Sequence, residues 1–263
     1  MDATDYTQIK VSIKRSFNID LDHYKDEQMK RRLDSWLVRA HVDTWKDYFH
    51  LLTTDPKELE RFRNYLTINV TEFFRDPARW DLVRQDVLPH LIKTAKENHQ
   101  AGGLKIWSAG CSIGTEAYTL AILMEESAPT QKYSILATDL DRGALLKARA
   151  RGPYTQDDIR NLSPAQQKKY ITAAPYHANE NLQKNIHFQE QNLITDHFEH
   201  GFDLIVCRNV VIYFTTETKD ILYAKFSAAL RPGGVLFVGG TEIISGATKF
   251  GLQNFGISFY KKS

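Results

Sequence analysis

Leu104-Lys105-Ile106-Trp107-Ser108-Ala109 runs directly into Gly110-Cys111-Ser112-Ile113-Gly114-Thr115-Glu116, and this junction decides the fold. The first six residues form a short apolar run suited to a buried strand, and the apolar stretch over 115–126 has the length of a helix. Small residues between them make a tight strand-to-helix turn and let the backbone approach a ligand closely. The glycine spacing is GxxxG. It lacks the GxGxxG of dinucleotide binders, and no Lys-Ser/Thr follows as in a P-loop, so a phosphate ligand is disfavoured. Taken alone, the motif is also compatible with a tight turn that holds no ligand.

Outward from this junction, apolar runs recur at 133–137, 186–188, 202–207 and 235–238, with helical patterns between most of them, including 115–126 and 216–230. Short strands alternating with helices predict an α/β fold with an open, Rossmann-like parallel sheet. Residues 256–260 read as a closing edge strand, and Arg231-Pro232-Gly233-Gly234 reads as a structural turn. The polar stretch 152–185 is too long for a simple connection and predicts an insertion or small subdomain.

Residues 1–70 have a different pattern. Ile9, Ile13 and Phe17, then Met29, Leu33, Leu37 and Ala40, recur at helical spacing without a convincing strand, which predicts a helical bundle. Asp55-Pro56 marks the start of a further helix, with aspartate capping free amides and proline in the first turn. Leu59, Phe62 and Leu66 form its expected buried face.

With 263 residues and 42% hydrophobic content, the chain can bury one large domain and a small one. No apolar run approaches the roughly 20 residues that span a bilayer, and MDATDYTQIK lacks the basic flank and apolar stretch of a signal peptide. A cytoplasmic location is therefore expected. Cys111 and Cys207 lie in apolar, strand-like stretches and are read as reduced, with neither a disulfide nor a metal site. A formal charge of +2 is too small for nucleic-acid or membrane binding by bulk electrostatics.

Candidate binding residues cluster at expected strand ends. Asp139, at the end of the second strand, has a carboxylate able to accept both hydroxyls of a ribose, which implicates a nucleoside ligand. Asp141 competes for that role, and either residue is also a natural helix cap. Asn192-Leu193 follows the third strand and Arg208-Asn209 the fourth, so that Asn192 suits an adenine edge while Asn209 and Tyr213 fall near the reacting end. Between the two halves lies Asn69-Val70-Thr71-Glu72-Phe73-Phe74-Arg75-Asp76. There Phe73 and Phe74 are expected to anchor the segment and leave Arg75 to pair with a ligand carboxylate.

The ordered set NVTEFFR (69–75), AGCSIGTEAYTLA (109–121), ATDLD (137–141), NL (192–193) and CRNVVIYF (207–214) resembles the chemotaxis receptor methyltransferases of the CheR family, across nearly the whole chain. The resemblance implies a Rossmann-like class I methyltransferase domain over 71–263 with a small β subdomain inserted at about 152–190. It also implies a preceding all-α receptor-recognition domain over 1–70. The implied cofactor is S-adenosyl-L-methionine, contacted at Asn69, Thr71, Arg75, Gly110, Glu116, Asp139, Asn192, Leu193, Arg208 and Asn209, with Tyr213 near the transferred methyl. Glu116 or Asp139 would hold the ribose, and Arg75 would balance the methionine end.

The implied reaction is displacement of methyl from the sulfonium by a receptor glutamate, giving a γ-methyl ester and S-adenosyl-L-homocysteine. A glutamate with a pKa of about 4.3 is already ionised at neutral pH, so no general base is needed and catalysis rests on positioning. Arg208, Tyr213 and Arg75 are the candidate catalytic residues.

The acidic helical hairpins that such enzymes modify suit a basic helix. With Met29, Leu33, Trp36, Leu37 and Ala40 inward, Arg31, Arg32 and Arg39 fall on the opposite face and are the candidate substrate contacts, interrupted by Asp34. The expected partner is the cytoplasmic helical region of a chemotaxis receptor, engaged by a monomer. Tyr154, Tyr170 and Tyr176 in the insertion form no decisive peptide-binding pattern. A different acceptor, a non-catalytic cofactor sensor and an NAD-dependent oxidoreductase are the competing readings, the last disfavoured by the missing GxGxxG.

Overall fold

The computed structural model describes residues 3–67, 69–98 and 102–263. They divide into two units, Met1–Ile68 with Val210–Ile221, and Asn69–Asn209 with Leu222–Ser263.

The helical unit contains α1 (Ala3–Phe17), α2 (Asp26–Ala40), α3 (Trp45–Thr54) and α4 (Pro56–Thr67). As expected, Asp55 caps α4. Its Oδ1 accepts the Lys57 and Glu58 N–H groups at 2.9 and 3.2 Å, and Pro56 occupies the first turn, where no amide partner is needed. Ile9, Ile13, Phe17, Met29, Leu33, Trp36, Phe62 and Leu66 are buried. Phe62 is central, with ring centroids 5.5 Å from Phe17, 5.5 Å from Trp36 and 5.2 Å from Tyr48.

Residues 210–221 join this unit through the backbone. Lys25 N–H donates to Tyr213 O at 3.0 Å, Thr215 N–H donates to His23 O at 2.9 Å, and the Tyr24 and Phe214 rings meet edge to face at 4.9 Å. Such pairing is invisible in the sequence because its partners are nearly 200 positions apart.

The second unit begins with α5 (Pro77–Leu82) and α6 (Leu88–Glu97), linked by a π-helical turn over Val83–Val87; none of these was expected. Its sheet has the order β3-β2-β1-β4-β5-β7-β6. The strands are β1 (Leu104–Ala109), β2 (Tyr133–Asp139), β3 (Ile186–Glu190), β4 (Phe202–Cys207), β5 (Leu230–Val238), β6 (Leu252–Gly256) and β7 (Phe259–Lys262). β1 to β5 pair in parallel, and β7 is antiparallel to both β5 and β6. Intervening helices are α7 (Thr115–Ser127), α8 (Arg142–Arg149), α9 (Pro164–Tyr170), α10 (Glu180–Gln183) and α11 (Thr216–Ala229). The chain moves outward from β1 through β2 to β3 and then returns to β4 on the other side of β1. This reversal opens a crevice at the carboxyl ends of β1 and β4, where α/β sheets bind their ligands.

Two expectations change in detail. The closing strand is a hairpin, and residues 259–262 lie inside the sheet between β5 and β6 rather than at its edge. Residues 231–234 are a bulge within β5: Phe202 pairs with Leu230 but Leu204 pairs with Val235, and the Arg231 guanidinium meets the buried Asp203 carboxylate. The 152–190 segment is an insertion with short antiparallel bridges. It contains α9, α10 and the isolated bridges Tyr154↔Tyr176 and Ile171↔Ala178, and its last five residues are β3 of the main sheet. Its buried Tyr154, Ile159, Leu162 and Tyr170 pack into the main core.

Candidate cofactor site

The turn after β1 carries two left-handed glycines, Gly110 (φ 83°) and Gly114 (φ 88°). At Gly114 a Cβ would stand 2.9 Å from the Ala148 Cβ, so the glycine also lets α7 pack against α8. Gly110 and Cys111 donate their N–H groups to Thr138 O at 2.8 and 2.9 Å, which ties the turn to the tip of β2.

At that tip, Asp139 accepts the Ser112 N–H through Oδ2 at 2.7 Å and the Asp141 N–H through Oδ1 at 2.9 Å. Burial pushes its pKa up to about 6, against the lowering effect of those two donors. Asp141 is instead the buried N-cap of α8. Its Oδ1 accepts the Ala144 N–H at 3.0 Å, and its Oδ2 accepts Asn69 Nδ2 at 2.6 Å. Asp141 thus caps a helix, while Asp139 stands at the tip of β2. Ser112 Oγ donates to Asn69 Oδ1 at 2.8 Å, completing a chain of Ser112, Asn69 and Asp141. Nearby, the Thr71 and Thr115 hydroxyls lie 2.6 Å apart.

A second group surrounds Arg208, which follows β4. The residue is 6% exposed, with its guanidinium 4.8 Å from the Phe237 ring centroid and 5.5 Å from that of Trp80. Nη2 donates to Asp76 Oδ2 at 2.6 Å, and Nη1 lies 3.9 Å from Glu116 Oε2. Glu116, in the first turn of α7, accepts Ser108 Oγ at 2.7 Å. Burial raises the Glu116 pKa while Arg208 and Ser108 oppose the shift, and burial lowers that of Arg208. Asn209 has a left-handed backbone (φ 59°), fixed by Glu242 Oε2, which accepts the N–H groups of Asn209 and Gly239.

Arg75 donates to Val70 O at 2.9 Å and, with Asp76, Arg79, Asn209, Gly240 and Thr241, lines a cavity of about 450 Å³. As expected, Phe73 and Phe74 are buried in the main core. After β3, Asn192 is half-buried in a tight turn, its Oδ1 accepting the Ile194 N–H at 3.0 Å, and Leu193 is buried. Gln191 N–H donates to Asp139 O at 2.9 Å, so this loop starts beside the tip of β2.

Most of the expected cofactor residues thus gather at the strand ends of the second unit. Tyr213 belongs to the helical unit, as do the α2 arginines. Of these, Arg31 and Arg39 are exposed, but Arg32 is not a free surface cation. Its Nη2 donates to Tyr65 O, its guanidinium covers the Tyr65 ring at 4.6 Å, and Tyr65 Oη donates back to Arg32 O at 2.8 Å. The helical wheel placed it outward, yet its long side chain folds over α4. Ser108, Ser112, Asp76 and Glu242 were missed. Glu242 had a readable signal, an acid four residues beyond the apolar run 235–238.

The arrangement fits a nucleoside ligand that is anionic at one end and cationic at the reacting centre. Asp139 presents a carboxylate, Arg75 a cation, and Glu116 and Glu242 negative charge near Arg208. Asn209 Oδ1 and Arg208 Nε are buried without a hydrogen-bond partner among the described residues, leaving polar capacity for a ligand.

A mostly parallel sheet of this order, with a glycine turn after β1 and an acid at the tip of β2, defines a nucleoside-binding α/β protein of the Rossmann-like class. Residues 69–256 match the CheR methyltransferase SAM binding domain and residues 4–67 the CheR methyltransferase all-alpha domain, so the chain belongs to the CheR methyltransferase family. The chemotaxis protein methyltransferases of Listeria monocytogenes and Listeria innocua are each 41% identical over 261 residues, covering 98% of this chain and 97% of theirs. A probable chemotaxis protein methyltransferase of Rhizobium etli is 31% identical, covering 92% of this chain and 94% of its own. The cofactor is S-adenosyl-L-methionine, in keeping with the donors and acceptors at the site.

Proposed function

We propose that this protein methylates glutamate side chains in the cytoplasmic helical region of chemotaxis receptors, acting in the cytoplasm as a monomeric protein-glutamate O-methyltransferase. The carrying observation is that the similarity to chemotaxis methyltransferases spans both the all-α domain and the cofactor domain, which supports a shared acceptor as well as a shared cofactor. No described helix is long and apolar enough to cross a membrane.

Bound S-adenosyl-L-methionine would supply an electrophilic methyl group, which passes to a carboxylate oxygen as its bond to sulfur breaks, giving a γ-methyl ester and S-adenosyl-L-homocysteine. Asp139 and Asn69 organise the ribose side, Arg75 meets the anionic end, and Asn192 and Leu193 take the base. Arg208, held by Asp76 and Glu116, keeps positive charge at the reacting end. Tyr213 steers the incoming carboxylate. The acceptor is already ionised at neutral pH, so these residues need only orient it and exclude water. The domain over 1–70 reads the receptor, and Arg31 and Arg39 on α2 meet its acidic surface; both are exposed.

Mass spectrometry of a receptor cytoplasmic fragment after incubation with enzyme and cofactor tests this reading. A methyl group on glutamate residues is expected. Methyl groups confined to lysine or another side chain would overturn the proposed chemistry.

A further inference from the structure

Lys225 in α11 approaches the loop after β3, and its ammonium donates to three carbonyls of that loop. Nζ lies 2.7 Å from Leu193 O, 3.0 Å from Ile194 O and 2.8 Å from Asp196 O. An ammonium has three protons, so this set uses its full donor capacity. The Nζ also stands 4.1 Å from the Phe198 ring centroid, which closes another side of the charge with an aromatic face.

The loop has its own internal bonds. Asn192 N–H donates to Asp196 Oδ2 at 2.8 Å, Asp196 N–H to Asn192 O at 3.0 Å, and Ile194 N–H to Asn192 Oδ1 at 3.0 Å. These bonds tie the loop to itself, and the carbonyls of Leu193, Ile194 and Asp196 converge on one point, the Lys225 Nζ. Carbonyls so aligned repel one another unless a cation sits at the focus. Burial lowers the Lys225 pKa, while Asp196 works the other way, as expected for a cation drawn into the structure.

We infer that Lys225 is a positioning residue for the cofactor: it fixes the carbonyls around Asn192 and Leu193 and so presents those two residues to the adenine of S-adenosyl-L-methionine. This rests on the assignment of Asn192 and Leu193 to the base. Lys225 Nζ donates to the loop carbonyls and acts through them. Its effect should therefore fall on cofactor affinity, with the rate at saturating cofactor preserved.

Calorimetric binding of S-adenosyl-L-homocysteine to Lys225→Met, Lys225→Arg and Asn192→Ala, with amide exchange across 192–197, tests the inference. Lys225→Met keeps the aliphatic stem and removes the charge. It should weaken binding about tenfold and speed exchange in the loop, with turnover at saturating cofactor unchanged, since three charge-assisted bonds are lost at a distance from the reacting centre. Lys225→Arg should recover part of the affinity. Unchanged affinity in Lys225→Met overturns the inference, as does faster exchange spread over the whole sheet, which would indicate a general structural role. Asn192→Ala separates the two claims. Unchanged affinity there removes the adenine contact and the inference with it, whereas a loss there with none in Lys225→Met removes only the lysine's role.

Discussion

Arg208 Nη2 donates to Asp76 Oδ2 at 2.6 Å, joining the residue after β4 to the start of α5 across 132 positions of sequence. Asp76 has a left-handed backbone (φ 59°), and Trp80 Nε1 donates to Arg75 O at 2.9 Å, so this bend is held from both sides. The pair keeps a nearly buried guanidinium oriented toward Glu116.

Arg208→Met should lower kcat/KM at least 100-fold, because it removes charge at the reacting end and leaves Glu116 without its opposing cation. Loss of one partner from a buried ion pair costs about 3 kcal/mol or more, so thermal unfolding should shift downward as well. Asp76 is half exposed. Asp76→Asn should therefore be milder, about tenfold in kcat/KM, with little change in stability. Steady-state kinetics and thermal melts of both variants check the order.

The Asp139 carboxyl gives a pH signature. Its folded pKa of about 6 lies above the ordinary aspartate value of 3.8, so the folded state favours the protonated form. Its contribution to stability is full below about pH 4 and is lost as pH rises through about 6. Cofactor affinity should run the other way, since the ionised carboxylate is the better acceptor for ribose hydroxyls. Binding of S-adenosyl-L-homocysteine should weaken as pH falls below 6. Asp139→Asn should flatten both profiles, as measured by chemical unfolding and calorimetry between pH 4 and 8.

Asn69 bridges Ser112 and the buried Asp141, with no contact to the sheet core required. Asn69→Ala removes one hydrogen bond to the Asp141 carboxylate, at a cost of about 1–3 kcal/mol. Cofactor affinity should fall with it, because Ser112 also holds Asp139. Unfolding midpoints and calorimetry of the variant read both effects.

The α2 arginines should separate by role. Arg31→Glu with Arg39→Glu should raise KM for a receptor fragment several-fold, with cofactor affinity unchanged and the effect reduced at high salt. Arg32→Ala should instead lower stability by about 1 kcal/mol or more, because it releases Tyr65 from both a hydrogen bond and a cation–π contact. Melting curves and receptor titrations distinguish the two outcomes.

Local chemistry made much of this legible. The run 104–109 followed by small residues gave the turn after β1, and Asp55-Pro56 gave the start of α4, because strand, turn and cap preferences act over a few residues. Asp139 and Asp141 were equivalent in sequence, and only the amide of Ala144 decided which one caps α8. Long-range pairings stayed hidden. The insertion of β7 between β5 and β6 depends on sheet pairing, as the union of residues 210–221 with the helical unit depends on contacts with His23 and Lys25. Arg32 was misplaced because periodicity fixes where a side chain starts and not where its charged end rests.

The most direct measurement incubates purified protein with methyl-labelled S-adenosyl-L-methionine and a chemoreceptor cytoplasmic fragment, and then assays methanol released by mild base. Label released as methanol, and abolished when the receptor glutamates are replaced by alanine, is the expected result. Cofactor binding by calorimetry without any base-labile label on the receptor would contradict glutamate methylation and point to another acceptor or to a sensing role.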